Sequence, residues 1–172
     1  PAPPKDDMVE AKEVKRLIAN RTAEQEKSIA DHDEVPFYAI KKYCDDNKMM
    51  FHKDEFKDII YGATDTINYF KDKFDRKRPI EVDKTLDTSP SKTNKTPSYP
   101  SGHAAQSRIV ARYVAGKFPE HEAHLIEAGN ECGYGRVLAG FHYPSDSEAG
   151  NLLGDKMYKL MIKENSIKEM KT

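Results

Sequence analysis

Three short segments of this chain carry side chains able to hold an anion and move a proton. The first is Lys71-Asp-Lys-Phe-Asp-Arg-Lys-Arg78-Pro79. Seven positions separate Lys71 from Arg78, close to two helical turns, so the spacing predicts two cations pointing from one helix face. Lysine offers an anion a point charge, and arginine a planar fork that binds phosphate through two parallel hydrogen bonds. The second is Tyr99-Pro100-Ser101-Gly102-His103, placed to open a helix. A helix start presents free N–H groups and the positive dipole end to an anion. Gly102 lets a ligand approach the backbone, Ser101 can cap the helix and donate its hydroxyl, and His103 lies where it could move a proton. The third holds Arg136, His142 and Asp146. Arg136 offers a further guanidinium and His142 a nucleophile. Asp146 can accept the far imidazole N–H, which fixes the tautomer and stabilises the charge that develops on attack. Taken singly, each has a plainer reading: a lysine-rich helix end, a serine cap, and a packed histidine beside a helix-start aspartate.

Other patterns carry less. His121-Glu122-Ala123-His124 is one residue short of the metallopeptidase motif, and no Glu-x-x-His occurs to support a di-iron bundle. His121 and His124 read as surface histidines. His32-Asp33, beside Asp31 and Glu34, reads as a charged helix end. Cys44 and Cys132 fit no zinc spacing, and neither opens a Cys-x5-Arg phosphate loop. No metal site is expected.

The chain around these segments has 172 residues, the size of one domain. Lys plus Arg is 28 and Asp plus Glu is 29. That balance gives no electrostatic case for a nucleic-acid or anionic-membrane partner. No apolar run approaches the roughly 18–20 residues that span a bilayer, and no segment reads as a signal peptide. The chain opens on Pro1 rather than Met, which is compatible with a processed precursor. Residues 1–8 read as a flexible lead, and 9–172 as a single helical domain. Val14, Leu17, Ile18 and Ile29 predict one amphipathic helix from Val9 to about Asp31, and a second is expected over Pro36–Asp46. Phe56, Ile59, Ile60, Ala63, Ile67, Phe70 and Phe74 form an apolar stripe over Phe51–Phe74, stopped by Pro79. Residues 80–100 lack periodicity and read as a long loop. Helices resume over Ser101–Phe118 and over about Glu120–Leu138, the latter weakened by Gly129, Gly133 and Gly135. A last helix starts near Ser145, with Ser145 and Glu148 as a capping box and Ala149, Leu152, Leu153, Met157, Leu160 and Met161 as its buried face. The fold expected is all-α, a bundle of about six helices.

Read in order, the three segments resemble the signature of the type 2 phosphatidic acid phosphatase superfamily. That family includes bacterial class A nonspecific acid phosphatases and vanadium haloperoxidases. Its pattern is Lys-x6-Arg-Pro, Pro-Ser-Gly-His and Ser-Arg-x5-His-x3-Asp. Lys71 to Pro79, Pro100 to His103 and Arg136 to Asp146 match it over 76 residues. One position departs: Gly135 stands where the third motif has Ser, and with that hydrogen bond lost Arg136 is expected to be held more loosely. The resemblance implies the family's α-bundle. It also implies that Lys71, Arg78 and Arg136, with Ser101 and the Gly102 backbone, hold the phosphoryl oxygens. His142 would attack phosphorus, His103 would protonate the leaving alcohol and then activate water, and Asp146 would orient His142.

The family's lipid phosphatases carry several membrane spans, and its haloperoxidases are much longer chains. The run from Gly135 to Asp146 looks more like the class A acid phosphatases. A soluble, metal-independent phosphatase is therefore expected, acting on small-molecule phosphomonoesters, with diphosphates also within reach, and needing no cofactor. The alternatives are a haloperoxidase holding vanadate in the same site and a non-catalytic helical interaction module. A homo-oligomer is compatible with the sequence. The class A resemblance implies a periplasmic or secreted protein, with the cytoplasm as the alternative. Specificity is expected in loop 80–100 and in Tyr99, Phe141 and Tyr143. Lys73, Arg76 and Lys77 are expected to be exposed and outside the site. Hydrolysis of a chromogenic phosphomonoester is expected to be unchanged in EDTA. Complete loss there, restored by a divalent ion, would overturn the metal-independent reading.

Overall fold

The computed structural model describes residues 1–171. Among them are eight α-helices and no strand: α1 (Asp7–Ala19), α2 (Ala23–Asp33), α3 (Tyr38–Asp46), α4 (Lys53–Phe74), α5 (Pro79–Val82), α6 (Gly102–Lys117), α7 (Glu122–Leu138) and α8 (Pro144–Lys171). A 3-10 turn, Pro119–His121, leads into α7. None of these helices is long and apolar enough to cross a membrane. The all-α class is as expected, and the helix count exceeds six for two local reasons. The single helix expected over residues 9–31 is two. Thr22 caps α2 by accepting from the Gln25 N–H, while the Gln25 side chain accepts from the Thr22 N–H. That reciprocal box starts a new helix despite the continuous apolar spacing. The expected loop also begins with a turn of helix, α5, which opens on Pro79. At the amino end, α1 starts at Asp7 on an Asp6 cap, and the Pro1 carbonyl accepts from the Tyr99 hydroxyl.

Two helix ends near the motifs are set by residues other than those expected. Helix α4 ends at Phe74, before Pro79, because Asp75 turns left-handed at φ 44°, a conformation aspartate tolerates. Helix α8 starts at Pro144, so Ser145 lies inside its first turn. The expected box is absent there. The Ser145 N–H and hydroxyl donate to Glu10 instead, and the Asp146 carboxylate accepts from the Tyr143 N–H.

Helix α6 is the hub, packed against α4, α7 and α8. Its Val110, Ala111 and Val114 join Phe37, Ile40, Phe51, Phe56 and Leu125 in the largest core cluster. Ala105 and Ile109 meet Ala63 and Ile67 of α4, with Leu153 and Met157 of α8 alongside. Leu152 and Leu160, expected inside, are exposed. The glycines of α7 do not break it. They let its backbone close on α6: a Cβ at Gly129 would lie 3.3 Å from the Ser107 carbonyl, and one at Gly133 3.1 Å from the Ala104 Cβ. Helix α8 approaches α6 more closely still. A Cβ at Gly150 would stand 2.5 Å from the Ser101 carbonyl and 2.8 Å from the Ala104 Cβ. Overpacking of this kind costs about 1–3 kcal/mol. Gly150→Ala is therefore expected to lower stability by about that amount in urea unfolding. Parent-like stability would mean that α8 has room to move.

Candidate functional site

Four helix ends converge on one cleft of about 270 Å³. Lys71 comes from the last turn of α4 and Arg136 from the last turn of α7, where cations complement the dipole. Ser101, Gly102 and His103 come from the start of α6, and Asp146 from the start of α8. Arg78 is not on α4, as its spacing had predicted. It sits beyond the Asp75 reversal, at the start of α5, and reaches the same cleft by a turn of the chain. Lys71, Arg78, Gly102, His103, Arg136 and His142 line the cleft, with Asp146 behind His142. A larger open groove, of about 770 Å³ between α2, α3 and α7, holds none of the motif residues.

Three cations in one buried space repel one another, and each is supported by acceptors from the loop before α6. Lys71 Nζ donates to the Pro97 carbonyl at 2.6 Å. Arg78 Nε donates to the Thr96 carbonyl at 2.8 Å, and Nη1 to the Phe141 carbonyl at 3.0 Å. Arg136 Nη2 donates to Thr93 Oγ1 at 3.1 Å, and its guanidinium lies 4.4 Å from the Phe141 ring centre. Burial, followed by the Arg78 charge, pushes the Lys71 pKa down to about 7. Burial and Arg136 push that of Arg78 down to about 10. Arg136 Nε is buried without a protein partner.

Hydrogen-bond donors decide the histidine tautomers. A guanidinium can only donate, so Arg78 Nη1, 3.1 Å from His142 Nε2, meets a lone pair there. His142 Nδ1 carries the proton and donates to Asp146 Oδ2 at 3.0 Å. Burial and then the Arg78, Lys71 and Arg136 charges keep the ring neutral. Asp146 also accepts from the Tyr143 N–H at 2.9 Å, from Ser98 Oγ, and on Oδ1 from Arg76 Nη1 at 2.7 Å. Burial pushes its pKa up to about 6 against these contacts. His103 Nε2 donates to the Asp33 carbonyl at 2.7 Å, and burial with the Arg136 charge pushes its pKa down to about 3. Ser101 caps α6 by accepting from the Ala104 N–H. Its own N–H donates to the Asp146 carbonyl at 2.9 Å, which ties the second motif to the third. A Cβ on Gly102 would make only ordinary contacts with Ile67 and Lys71, at 3.5 and 3.6 Å.

Several site residues escaped the sequence reading. Asp33, read as a charged helix end, binds Arg136 Nη1 at 2.7 Å and accepts from Ser91, the Lys92 N–H and Thr93. Burial opposes its ionisation, but these hydrogen bonds outweigh it and hold the carboxyl well below the usual range. With Asp33, Thr93 and Phe141 around it, Arg136 is fixed although Gly135 replaces the motif serine. Arg76, expected on the surface, is 5% exposed and ion-paired with Asp7, Glu10 and Asp146, whereas Lys73 and Lys77 are exposed. Tyr99, Phe141 and Tyr143 are buried and pack against Phe74, Arg136 and Arg76, so none of them lines the cleft. His32 is buried too, with Nδ1 donating to the Ser28 carbonyl and Nε2 accepting from the Ala39 N–H. His121 pairs with the Tyr43 hydroxyl. Among the described residues, no three His, Cys, Asp or Glu side chains gather closely enough to hold a metal, and both cysteines are buried and free.

A family model described as the PAP2 superfamily matches residues 59–162, well over half of the chain and all three motifs. An acid phosphatase of Zymomonas mobilis is 34% identical over 92 residues, which cover 52% of this chain and 35% of that protein. A non-specific acid phosphatase of Salmonella typhi is 42% identical over 57 residues, 33% of this chain and 23% of that one. That of Providencia stuartii is 36% identical over 62 residues, 36% and 25% of the two chains. The chain thus spans about a third or less of the length of the curated relatives it matches.

The site's geometry predicts how vanadate binds. Removing a buried, hydrogen-bonded charge partner costs about 2–5 kcal/mol. Arg78→Ala and Arg136→Ala are therefore expected to weaken vanadate at least about 30-fold by calorimetry, and Lys at either position should restore only part. Lys73→Ala and Lys77→Ala should stay within about twofold, because screened surface charges only steer an anion. Equal losses at all four positions would point to a diffuse basic patch instead.

Proposed function

This chain belongs to the PAP2 superfamily, and we propose that it hydrolyses small phosphate monoesters through a phosphohistidine formed on His142. The observation that carries the reading is the His142 tautomer: Nδ1–H on Asp146 at 3.0 Å, and the Nε2 lone pair turned to the cation-lined cleft beside Arg78. An imidazole held that way is an activated nucleophile with its counter-charge in place. The relatives' names, acid phosphatases, point to the same chemistry over the short stretch that aligns.

In this reading the phosphoryl oxygens lie among Lys71, Arg78 and Arg136, with Ser101 and the Gly102 backbone at the α6 N-terminus. Packing does not demand glycine at 102, which leaves close approach of a ligand as its use. The buried, unpartnered Arg136 Nε–H is a donor kept for the same group. Fixed cations and helix N–H groups supply the charge that other phosphatases draw from metals, and charge gathered on the transferring phosphoryl is what such a cradle stabilises. His142 Nε2 attacks phosphorus, and the bond to the ester oxygen breaks. The leaving oxygen takes a proton from His103. Because His103 Nε2 is committed to the Asp33 carbonyl, Nδ1 is the nitrogen that gives it. Burial first, and then the Arg136 charge, keep His103 neutral. A phosphate dianion offsets the Arg136 and Lys71 charges that add to the effect of burial, so substrate binding favours the protonated acid. His103 then takes a proton from water as that water attacks phosphorus, the P–N bond breaks, and inorganic phosphate leaves. The exported compartment expected of a class A acid phosphatase is part of the same proposal.

Denaturing quench with a labelled substrate tests the assignment. His142→Ala is expected to trap no phosphoenzyme. His103→Ala is expected to lose about 100-fold in kcat on alkyl phosphates and far less on aryl phosphates with acidic leaving groups. Phosphoenzyme in the His142 variant would show that another residue is the nucleophile.

A further inference from the structure

Arg76 lies within the first motif but at none of its fixed positions, and it does not line the cleft. Even so, all three of its guanidinium nitrogens are committed. Nη1 donates to Asp146 Oδ1 at 2.7 Å and to Ser145 Oγ at 2.8 Å. Nε donates to Asp7 Oδ1, and Nη2 to Glu10 Oε2, each at 2.9 Å. The guanidinium lies 3.8 Å from the Tyr143 ring centre. Glu10 in turn accepts from the Ser145 N–H and hydroxyl, so α1 grips both Arg76 and the first turn of α8. Asp146 is thus fixed at both oxygens, Oδ1 by Arg76 and Oδ2 by His142, the Tyr143 N–H and Ser98.

Building on the reading of His142 as nucleophile, we propose that Arg76, clamped by Asp7 and Glu10, is a positioning residue that aims the Asp146 carboxylate at His142 and keeps it charged during attack. Attack from Nε2 leaves the imidazole cationic. Only an anionic Asp146 with its lone pair on the Nδ1–H stabilises that charge. Without Arg76, Oδ1 is a buried acceptor short of a partner, a state the carboxylate relieves by rotating or by taking up a proton. The groups facing Asp146 set the sign of the effect. Arg76 comes from the α4–α5 link, His142 and Tyr143 from the α7–α8 link, and Ser98 and Tyr99 from the loop, with Lys71 and Arg78 across the cleft. Asp7 and Glu10 of α1 act through Arg76. Deleting Arg76 removes the cation in direct contact with a carboxyl that burial already raises. The protonated form then persists to higher pH, and the acidic limb of the rate profile moves up.

The test is a double-mutant cycle on the full chain, with kcat, KM and their pH profiles measured on an aryl phosphate. Arg76→Ala is expected to lose about 30- to 100-fold in kcat, with KM within about twofold and the acidic limb about one pH unit higher. Arg76→Lys keeps the charge but not the fork, and should restore the limb and only part of kcat. In the Asp146→Asn background both substitutions should cost less than about threefold, because the partner they act through is already neutral. Additive losses, or an unmoved limb in Arg76→Ala, overturn the proposal. If the Ala variant does not fold, the Lys variant alone and with Asp146→Asn decides: a kcat loss that stays undiminished in the Asp146→Asn background overturns the proposal. Failure of the underlying reading looks different: phosphoenzyme that survives His142→Ala removes the nucleophile assignment and this role together. A trapped His142 phosphoenzyme with additive Arg76 losses removes only this role.

Discussion

Lys71, Arg78 and Arg136 stand together where water scarcely screens them, and their mutual repulsion is the constraint that the surrounding structure answers. Burying a cation costs several kcal/mol unless acceptors replace its water. The chain supplies them from two sources. Backbone carbonyls at Thr96, Pro97 and Phe141 take hydrogen bonds from Lys71 and Arg78 without adding charge. Two carboxylates add charge, Asp146 from behind His142 and Asp33 from the cleft wall beside Arg136. Three buried cations thus face the cleft, and each of them remains hydrogen-bonded. The lowered pKa values of Lys71 and Arg78 record the burial first and, after it, the repulsion that remains.

Such an arrangement needs chain ends more than chain middles. Helix interiors have no spare N–H or C=O groups, whereas termini have four of each. Bringing the ends of α4 and α7 to the beginnings of α6 and α8 gathers donors, dipoles and cations in one place. The close fit of α8 on α6 at Gly150 is what places Asp146 within reach of the Ser101 N–H. Packing and site geometry are one fact in this region: the same backbone approach that excludes a Cβ joins two motifs.

How much of this could be read from residues alone varied by element. The helical patterning carried the fold class, and the motifs carried Lys71, Arg78, Gly102, His103, Arg136 and His142 of the cleft lining, though not the helix that Arg78 sits on. The break between α1 and α2 was hidden because Val14, Leu17, Ile18 and Ile29 keep helical step across it, and only the Thr22–Gln25 pair marked the restart. Arg76 looked like one surface cation in a basic run. The left-handed Asp75 ends the helix and resets which side chains face inward, and no periodicity carries across such a reversal. Pro97 acts through its main-chain oxygen, and Thr96 in its shorter bond to Arg78 does the same, which leaves no trace in residue type. Asp33 sits 103 positions from its partner Arg136, with nothing local to connect the two. What was legible is chemistry borne by side chains at fixed spacing. What was not is support that arrives through the tertiary fold.

Helices α1 and α2 lie ahead of the stretch that the family model recognises, yet Asp7, Glu10 and Asp33 reach from them to the two guanidinium groups on either side of the histidines. The boundaries of the recognisable signature and those of the working site therefore do not coincide. A graft limited to residues 59–162 would carry every motif residue and strand two buried arginines without their acidic partners. Any scaffold that borrows this cradle, by recombination or by design, has to rebuild those counter-charges from sequence that bears no motif at all.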